Sequence, residues 1–183
     1  MPANVIRTVD SILNISQLEA GAITIYPQPI DLVFIAKFVI EELRQDAEEK
    51  GLIIYLVSDF QVAKVLADEY CITQAITNLM ENAIKFSQTG TIEIEISRRD
   101  DRFALSVIDS GIGISEDYQE QIYTPYTQES EGFTKNFQGV GLGMALTKRY
   151  VDLNNVEIKL KSEAGVGTTF ILIFSPYKEE TNA

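Results

Sequence analysis

A chain of 183 residues is long enough for one domain with a core of ordinary size. Its 15 basic and 27 acidic residues leave a formal net charge of −12, which excludes a general basic field for nucleic acid or an anionic membrane surface; any bound phosphate must be held locally, by backbone N–H groups, a metal ion or a few lysines. Histidine is absent, which removes Ser-His-Asp catalysis and imidazole metal or base chemistry, and the single cysteine, Cys71, excludes an internal disulfide and a cysteine-built zinc site.

Residues from about Val5 to Ala20 carry Val5, Val9, Ile12, Leu13 and Leu18 at helical spacing and stop at Gly21. The stretch AITIYPQPIDL reads as a short extended segment broken by two prolines. Asp31 then caps a helix running to about Lys50, closed by Gly51. LIIYLVS is a strand, VAKVLADE a short strand or turn, and a helix runs from about Tyr70 to Phe86. TIEIEIS and FALSVID alternate with period two around the charged turn RRDDR, a hairpin signature. Between Ser110 and Gly139 the only regular pattern is a short helix near Glu116 to Ile122; GLGMALTKRYVDLN is a helix, and VEIKLKSE and TTFILIFS form a second strand pair. Strand pairs and helices interleave without strict βαβ alternation, so the expectation is an α+β fold, a mixed sheet with its helices on one face. No apolar run approaches the ~18 residues of a membrane span, and the polar start lacks the form of a secretory signal, so a soluble, cytoplasmic domain is expected.

In the helix NLMENAIKFS, Leu79, Met80, Ala83 and Ile84 share one arc with Ile72, Ala75 and Ile76, while Asn78, Glu81, Asn82 and Lys85 share the opposite one. Asparagine is a poor helix former on a surface. Two of them one turn apart leave two readings open, a solvated polar face or a face turned to a ligand. Three glycine clusters follow: DSGIGIS after a strand, GVGLGMA opening a helix, and GVGTTF leading into a strand. Each alone is ordinary turn chemistry. Gly139, Gly141 and Gly143 nevertheless precede a helix N-terminus, where unpaired N–H groups suit a polyphosphate. Asp109, ending a strand, is placed to accept a hydrogen bond from an exocyclic amine such as that of adenine, with Gly113 giving the ring room; its competing role is a turn residue. Asn82 offers a neutral amide oxygen to Mg²⁺, which takes oxygen ligands and keeps several waters.

Together these motifs resemble the catalytic and ATP-binding domain of a two-component sensor histidine kinase, within the superfamily shared with gyrase, mismatch-repair and heat-shock chaperone ATPases. NLMENAIKFS is similar to the N box, DSGIGIS to the first glycine box, GVGLGMALTKRYV to the second and GVGTTF to the last. QIYTPYTQ resembles the F box, with Tyr123 and Tyr126 in place of phenylalanines and the aromatic packing kept. ILNISQLEAGAITIYPQPIDL resembles the junction between the second dimerisation helix and the ATP-binding domain. The resemblance implies a two-layer α/β sandwich of Bergerat type with a long nucleotide lid, residues 1–20 as the end of a dimerisation and phosphoacceptor helix, and 21–183 as the catalytic domain. It implies ATP and Mg²⁺ as ligands: Asn82 on the metal, Asn78 facing the phosphates, Glu81 orienting water or the metal shell, and Lys85 reaching the phosphates as a point charge. Asp109 would read adenine, Gly111 and Gly113 allow its close approach, and Gly139, Gly141, Leu142 and Gly143 form the phosphate loop. The resemblance would also put Thr168 near the adenine and Phe86 either at the border of the nucleotide or in the core. The segment of about 25 residues between Gly113 and Gly139 would be the lid, with Lys135 in it either meeting the γ-phosphate or solvated.

Phosphoryl transfer of this kind needs an imidazole in line with the γ-phosphate, and this chain has none. The acceptor would be the histidine of the parent kinase's dimerisation domain, with a response regulator receiver domain downstream and no nucleic acid or membrane contact. Competing readings are a stand-alone ATP-binding regulatory module, an anti-sigma-type serine kinase, and a conformational ATPase of the chaperone branch in which Glu81 activates water.

Overall fold

The structure, a computed structural model, describes residues 24–127 and 141–177. In chain order these form β1 (Gln28–Asp31), α1 (Leu32–Glu49), β2 (Ile53–Ser58), β3 (Lys64–Ala67), α2 (Glu69–Phe86), β4 (Thr91–Arg99), β5 (Arg102–Asp109), α3 (Glu116–Gln119), α4 (Gly143–Leu153), β6 (Glu157–Glu163) and β7 (Gly167–Ile173). The main sheet has the order β2-β4-β5-β7-β6, with β2 parallel to β4 and every other pair antiparallel. Helices α1 and α2 lie against the sheet, and α4 packs beside α2. This is the expected α+β arrangement of a mixed, mostly antiparallel sheet with its helices on one face.

The period-two pattern explains which face is covered. Ile92, Ile94 and Ile96 of β4 are buried in the main core, while Glu93 and Glu95 alternate with them on the opposite face. Helix α2 meets that core with Ile72, Ile76, Leu79 and Met80, all at most 1 % exposed, and truncating one such large side chain to alanine costs roughly 2–5 kcal/mol.

Side chains set the helix boundaries. Asp31 caps α1 by accepting from Val33 N at 3.0 Å, and the same oxygen accepts from Ala63 N at 2.9 Å, tying the helix start to the stretch before β3. Asp68 caps α2 by accepting from Cys71 N at 2.9 Å, and its other oxygen accepts from Tyr26 N at 2.8 Å. At the far end of α2, Lys50 Nζ donates to the Ile84 carbonyl at 2.8 Å and the Lys85 carbonyl at 3.0 Å, placing a cation on the negative end of the helix dipole.

VAKVLADE resolves into the strand β3, which pairs with β1 in a separate two-stranded ribbon rather than with the main sheet. The expected helix near Glu116 is one turn, continued to Tyr126 by turns. The expected helix at Val5–Ala20, Lys135 and Gly139 lie outside the described residues. Among the described residues no helix is long and apolar enough to cross a membrane.

Candidate functional site

The polar side of α2 forms one wall of the site, and Asn78, Glu81, Asn82 and Lys85 are all half-buried there. Asn78 is engaged with protein: its Nδ2 donates to the Gly143 carbonyl and to Thr147 Oγ1, both at 3.3 Å. Thr147 Oγ1 in turn donates to the Gly143 carbonyl at 2.9 Å, the one-turn back-bond of a helical threonine. Asn78 therefore staples the middle of α2 to the first turn of α4. Glu81 makes an interaction of its own. Asn82, one turn further on, has no hydrogen-bond partner among the described residues. Lys85 holds its ammonium 4.9 Å from the centre of the Phe86 ring, and burial, helped by the nearby Lys50 charge, lowers its pKa.

Helix α4 begins at Gly143 with no side chain among the described residues capping it, so among them its first N–H groups keep the donor capacity of an open helix end. Leu142, buried at the N-cap position, anchors this start in the core. Gly141 has φ +73°, and a Cβ there would stand 2.7 Å from the Thr127 carbonyl; its own carbonyl accepts from Tyr126 N at 3.0 Å. Among the described residues a Cβ at Gly143 would meet only the Asn78 side chain, Cγ at 3.9 Å and Oδ1 at 4.0 Å, ordinary contacts, so space among those residues does not require glycine there.

At the other end of α2 the turn after β5 is bolted in place. Ile112 N donates to the Phe86 carbonyl at 3.2 Å, and Ile112's carbonyl accepts from Gly165 N at 2.7 Å. Ile114 N donates to Ser162 Oγ at 2.9 Å. A Cβ on Gly111 would lie 2.7 Å from the Phe86 carbonyl and 2.8 Å from Asp109 Oδ1. Gly113, at φ +68°, leaves room for the Glu163 carbonyl, which a Cβ would overlap. The glycines of this box thus answer to close backbone contact inside the protein.

Asp109 accepts from Gly111 N at 2.8 Å and from the backbone of Thr168, its cross-strand partner. Burial nevertheless outweighs those donors and pushes the carboxyl up to about 6. The Thr168 hydroxyl is paired with Ser162 Oγ at 2.9 Å, and Ser162 Oγ donates to the Gly167 carbonyl at 2.9 Å, so Thr168 supports Asp109 through its backbone.

The structure strings these parts along one helix. The Asp109 turn is hydrogen-bonded to Phe86, and α4 to Asn78, with Asn82 between. Eight residues of α-helix separate the two anchor points by about 12 Å. Of the two F-box aromatics, Tyr123 packs against the core, where burial and the Asp152 charge raise its pKa to about 12. Tyr126 departs from the expected packing: its ring is 62 % exposed and its backbone, at φ +63°, serves the segment through its bond to Gly141.

Sequence inspection missed Thr147 and Ser162, whose hydroxyls join Asn78 to α4 and the Asp109 turn to β7. The available signals were the four-residue spacing of Gly143 and Thr147 and the cross-strand register of Ser162 with Thr168. Asn154 was missed as well: its Oδ1 accepts from Asp68 N at 2.6 Å and its Nδ2 donates to the Tyr150 carbonyl at 2.9 Å, tying the end of α4 to the start of α2.

Comparison with known proteins identifies the family and the fold. The circadian input-output histidine kinase CikA of Synechococcus elongatus is 33 % identical over 170 residues, covering 91 % of this chain and 22 % of the relative. The sensor histidine kinase RcsC of Escherichia coli is 29 % identical over 171 residues, covering 90 % of this chain and 18 % of the relative. The chain thus spans only about a fifth of the length of these proteins. The crystal structure of full-length ShkA in complex with AMPPNP superposes with a TM-score of 0.82 at 28 % identity, covering 93 % of this chain and 35 % of that one. The nucleotide-free catalytic domain of the histidine kinase ThkA shares the fold with a TM-score of 0.70 at 22 % identity, over 82 % of this chain and 95 % of that one. A family profile described as histidine kinase-, DNA gyrase B-, and HSP90-like ATPase matches residues 67–178, more than half of the sequence, and the chain belongs to that family.

Proposed function

We propose that this chain is the ATP-binding catalytic domain of a sensor histidine kinase and that it passes the γ-phosphate of ATP to a histidine its own residues do not supply. The observation that carries this is the linear order along α2: a buried carboxylate at one end and, among the described residues, an uncapped helix N-terminus at the other with an unpartnered amide between them. That order matches a purine nucleotide laid along the helix. Asp109 accepts from the adenine amine, Asn82 is the residue for Mg²⁺, and the open N–H groups of α4 with Gly141 and Gly143 take the phosphate oxygens; Asn78, read in the sequence as facing the phosphates, is bonded to Gly143 and Thr147 at the start of α4. The small Gly143 then serves the ligand, since the protein itself leaves room for a Cβ there. Lys85, whose charged form burial disfavours, gains an anionic partner in the phosphates.

The residues present fit Mg²⁺. Among the described residues no group of three His, Cys, Asp or Glu could hold a metal, so these residues offer no all-protein cage. A single neutral amide oxygen, that of Asn82, suits an ion that takes its other ligands from phosphates and waters. When bound, Mg²⁺ neutralises phosphate charge during transfer. The chain's share of the reaction is positioning. Asp109 fixes the base, α4 and Lys85 fix the phosphates, and Glu81 orients polar groups beside Asn82; the lid expected between Gly113 and Gly139 runs into residues 128–140, outside the described residues. The attacking imidazole nitrogen forms the new P–N bond as the bond to the ADP oxygen breaks. Residues 1–20 are read as the end of the dimerisation helix, and a receiver domain as the next phosphate acceptor.

Equilibrium titration with ATP, with and without Mg²⁺, followed by incubation with a histidine-bearing dimerisation domain in trans, tests the proposal. Tight Mg-dependent binding and acid-labile phosphate on the added domain are expected. Acid-stable phosphate would favour a hydroxyl-directed kinase, and ATP hydrolysis without transfer the conformational ATPase.

A further inference from the structure

Three strands bring one polar row together beside the proposed base pocket. Asp109 of β5 pairs with Thr168 of β7, and Thr168 pairs with Ser162 of β6. Each lies two residues from a core side chain of its own strand, Val107, Phe170 and Leu160, so all three share the helix-covered side of the sheet. Ser162 Oγ has three contacts, each at 2.9 Å: the Gly167 carbonyl, the Ile114 N–H and Thr168 Oγ1. A hydroxyl carries one proton and two lone pairs. The carbonyl can only accept, so the Ser162 proton goes to Gly167; the Ile114 N–H fills one lone pair, and the other is left for a proton from Thr168. The direction of the Ser162–Thr168 bond is thereby fixed, with Thr168 as the donor. Thr168 Oγ1 then offers only lone pairs to anything else, and among the described residues no other donor meets them.

We propose that Ser162 is a specificity-determining residue: it holds Thr168 as a pure acceptor, so that Asp109 and Thr168 together receive both N–H groups of a 6-amino purine and reject a 6-oxo purine. This rests on the reading of the Asp109 end as the base pocket. Directly opposed residues of antiparallel strands carry their Cβ atoms about 4.5–5.5 Å apart, so an amine bonded to Asp109 stands beside the Thr168 hydroxyl. A free threonine hydroxyl would not discriminate, because it turns to donate to a carbonyl as readily as it accepts from an amine. Locked by Ser162, it meets a 6-oxo group lone pair to lone pair. Thr168 is 7 % exposed, and a polar mismatch in a buried place is costly. Ser162 is itself braced from α3: Gln119 Nε2 donates to the Ser162 carbonyl at 3.1 Å and to the Ile114 carbonyl at 2.9 Å. Ser162 therefore acts through Thr168, as a positioning residue that sets the polarity of its neighbour.

Equilibrium binding of three triphosphates to the complete chain tests it: ATP, inosine triphosphate with its 6-oxo group, and purine riboside triphosphate with neither substituent. The parent is expected to bind ATP most tightly and inosine triphosphate least. In Ser162→Ala the freed Thr168 hydroxyl can donate, so the ATP-to-inosine affinity ratio is expected to fall about tenfold, while the unsubstituted purine changes by no more than about twofold. Thr168→Val, which removes the acceptor, is expected to lower the same ratio. A Ser162 that only supports the fold would weaken all three ligands alike. That outcome, an unchanged ratio in either variant, or a parent that binds ATP and inosine triphosphate equally overturns the proposal and leaves the nucleotide-binding reading standing. A parent that binds none of the three overturns both. If Ser162→Ala does not fold, Ser162→Cys, a weaker donor and acceptor, replaces it under the same criterion.

Discussion

Replacing Asp109 with asparagine separates what the carboxylate costs the fold from what it contributes to binding. Burial raises its pKa from the ordinary carboxylate value to about 6 in spite of the Gly111 and Thr168 N–H groups. The folded state therefore holds a proton that the unfolded chain has already released between about pH 4 and pH 6, so stability falls as pH rises through that window. A displacement of about two pH units corresponds to roughly 3 kcal/mol lost by neutral pH. Asparagine keeps the shape and removes the charge, but its single oxygen serves two backbone donors less well, which returns about 1–2 kcal/mol. The net expectation for Asp109→Asn at pH 7.5 without nucleotide is a gain of about 1–2 kcal/mol, vanishing near pH 4.5 where the parent is already neutral. Urea unfolding of both proteins at the two pH values measures it. ATP affinity should fall in the opposite sense, by about ten- to a hundredfold, for loss of a charge-assisted bond. A variant less stable than the parent at pH 7.5, or a gain equal at both pH values, would refute the assignment of a strained, buried carboxylate.

Other substitutions test separate parts of the architecture. Gly113→Ala should cost more than about 3 kcal/mol, because a Cβ overlaps the Glu163 carbonyl at a positive φ, whereas Gly165→Ala, at φ +81° in open space, should cost about 1 kcal/mol by urea titration. Asn154→Ala should cost about 2–3 kcal/mol, since it strips the buried Asp68 N–H of its acceptor and the Tyr150 carbonyl of a donor. Asn82→Ala should leave unfolding within about 0.5 kcal/mol of the parent while the Mg²⁺-dependent share of ATP affinity disappears in isothermal titration. A stability loss as large as that at Asn154 would mean that Asn82 holds the fold and not the ligand.

Local patterns were legible where one periodicity or one residue type decided the outcome. Alternation marked Ile92, Ile94 and Ile96 as the covered face of β4, and Asp31 was visible as a cap because an aspartate preceded an apolar helical run. What remained hidden was long-range. Nothing in VAKVLADE indicates that β3 turns away from the main sheet to pair with β1, because register between distant short strands depends on the packed core. The site shows the same division. Asn78 was recognisable as a residue out of place on a plain surface helix, but its contact with the Gly143 carbonyl depends on how α2 and α4 pack. Gly113 looked like space for a ligand, and the structure gives that space to the Glu163 carbonyl. Tyr126 shared an aromatic motif with Tyr123, yet a positive φ turned its ring to solvent.

The two ends of α4 give the hidden contacts a common sense. Its first turn is held by Asn78 and carries the uncapped N–H groups; its last is closed by Asn154, whose side chain holds the backbone of Asp68. Asp68 in turn receives the N–H of Tyr26, close to where the described chain begins. A helix of 11 residues, about 16 Å long, thus runs from the phosphate end of the proposed site to the point where the N-terminal segment joins the fold. All of these links are buried or half-buried hydrogen bonds, costly to leave unmade. A charge of −12 offers no field to draw in a polyphosphate, so affinity must come from this local alignment of N–H groups. Any force that tilts α4 at the Asn154 end also re-aims those groups, so the point where the N-terminal segment joins the fold is mechanically linked to the phosphate end of the proposed site.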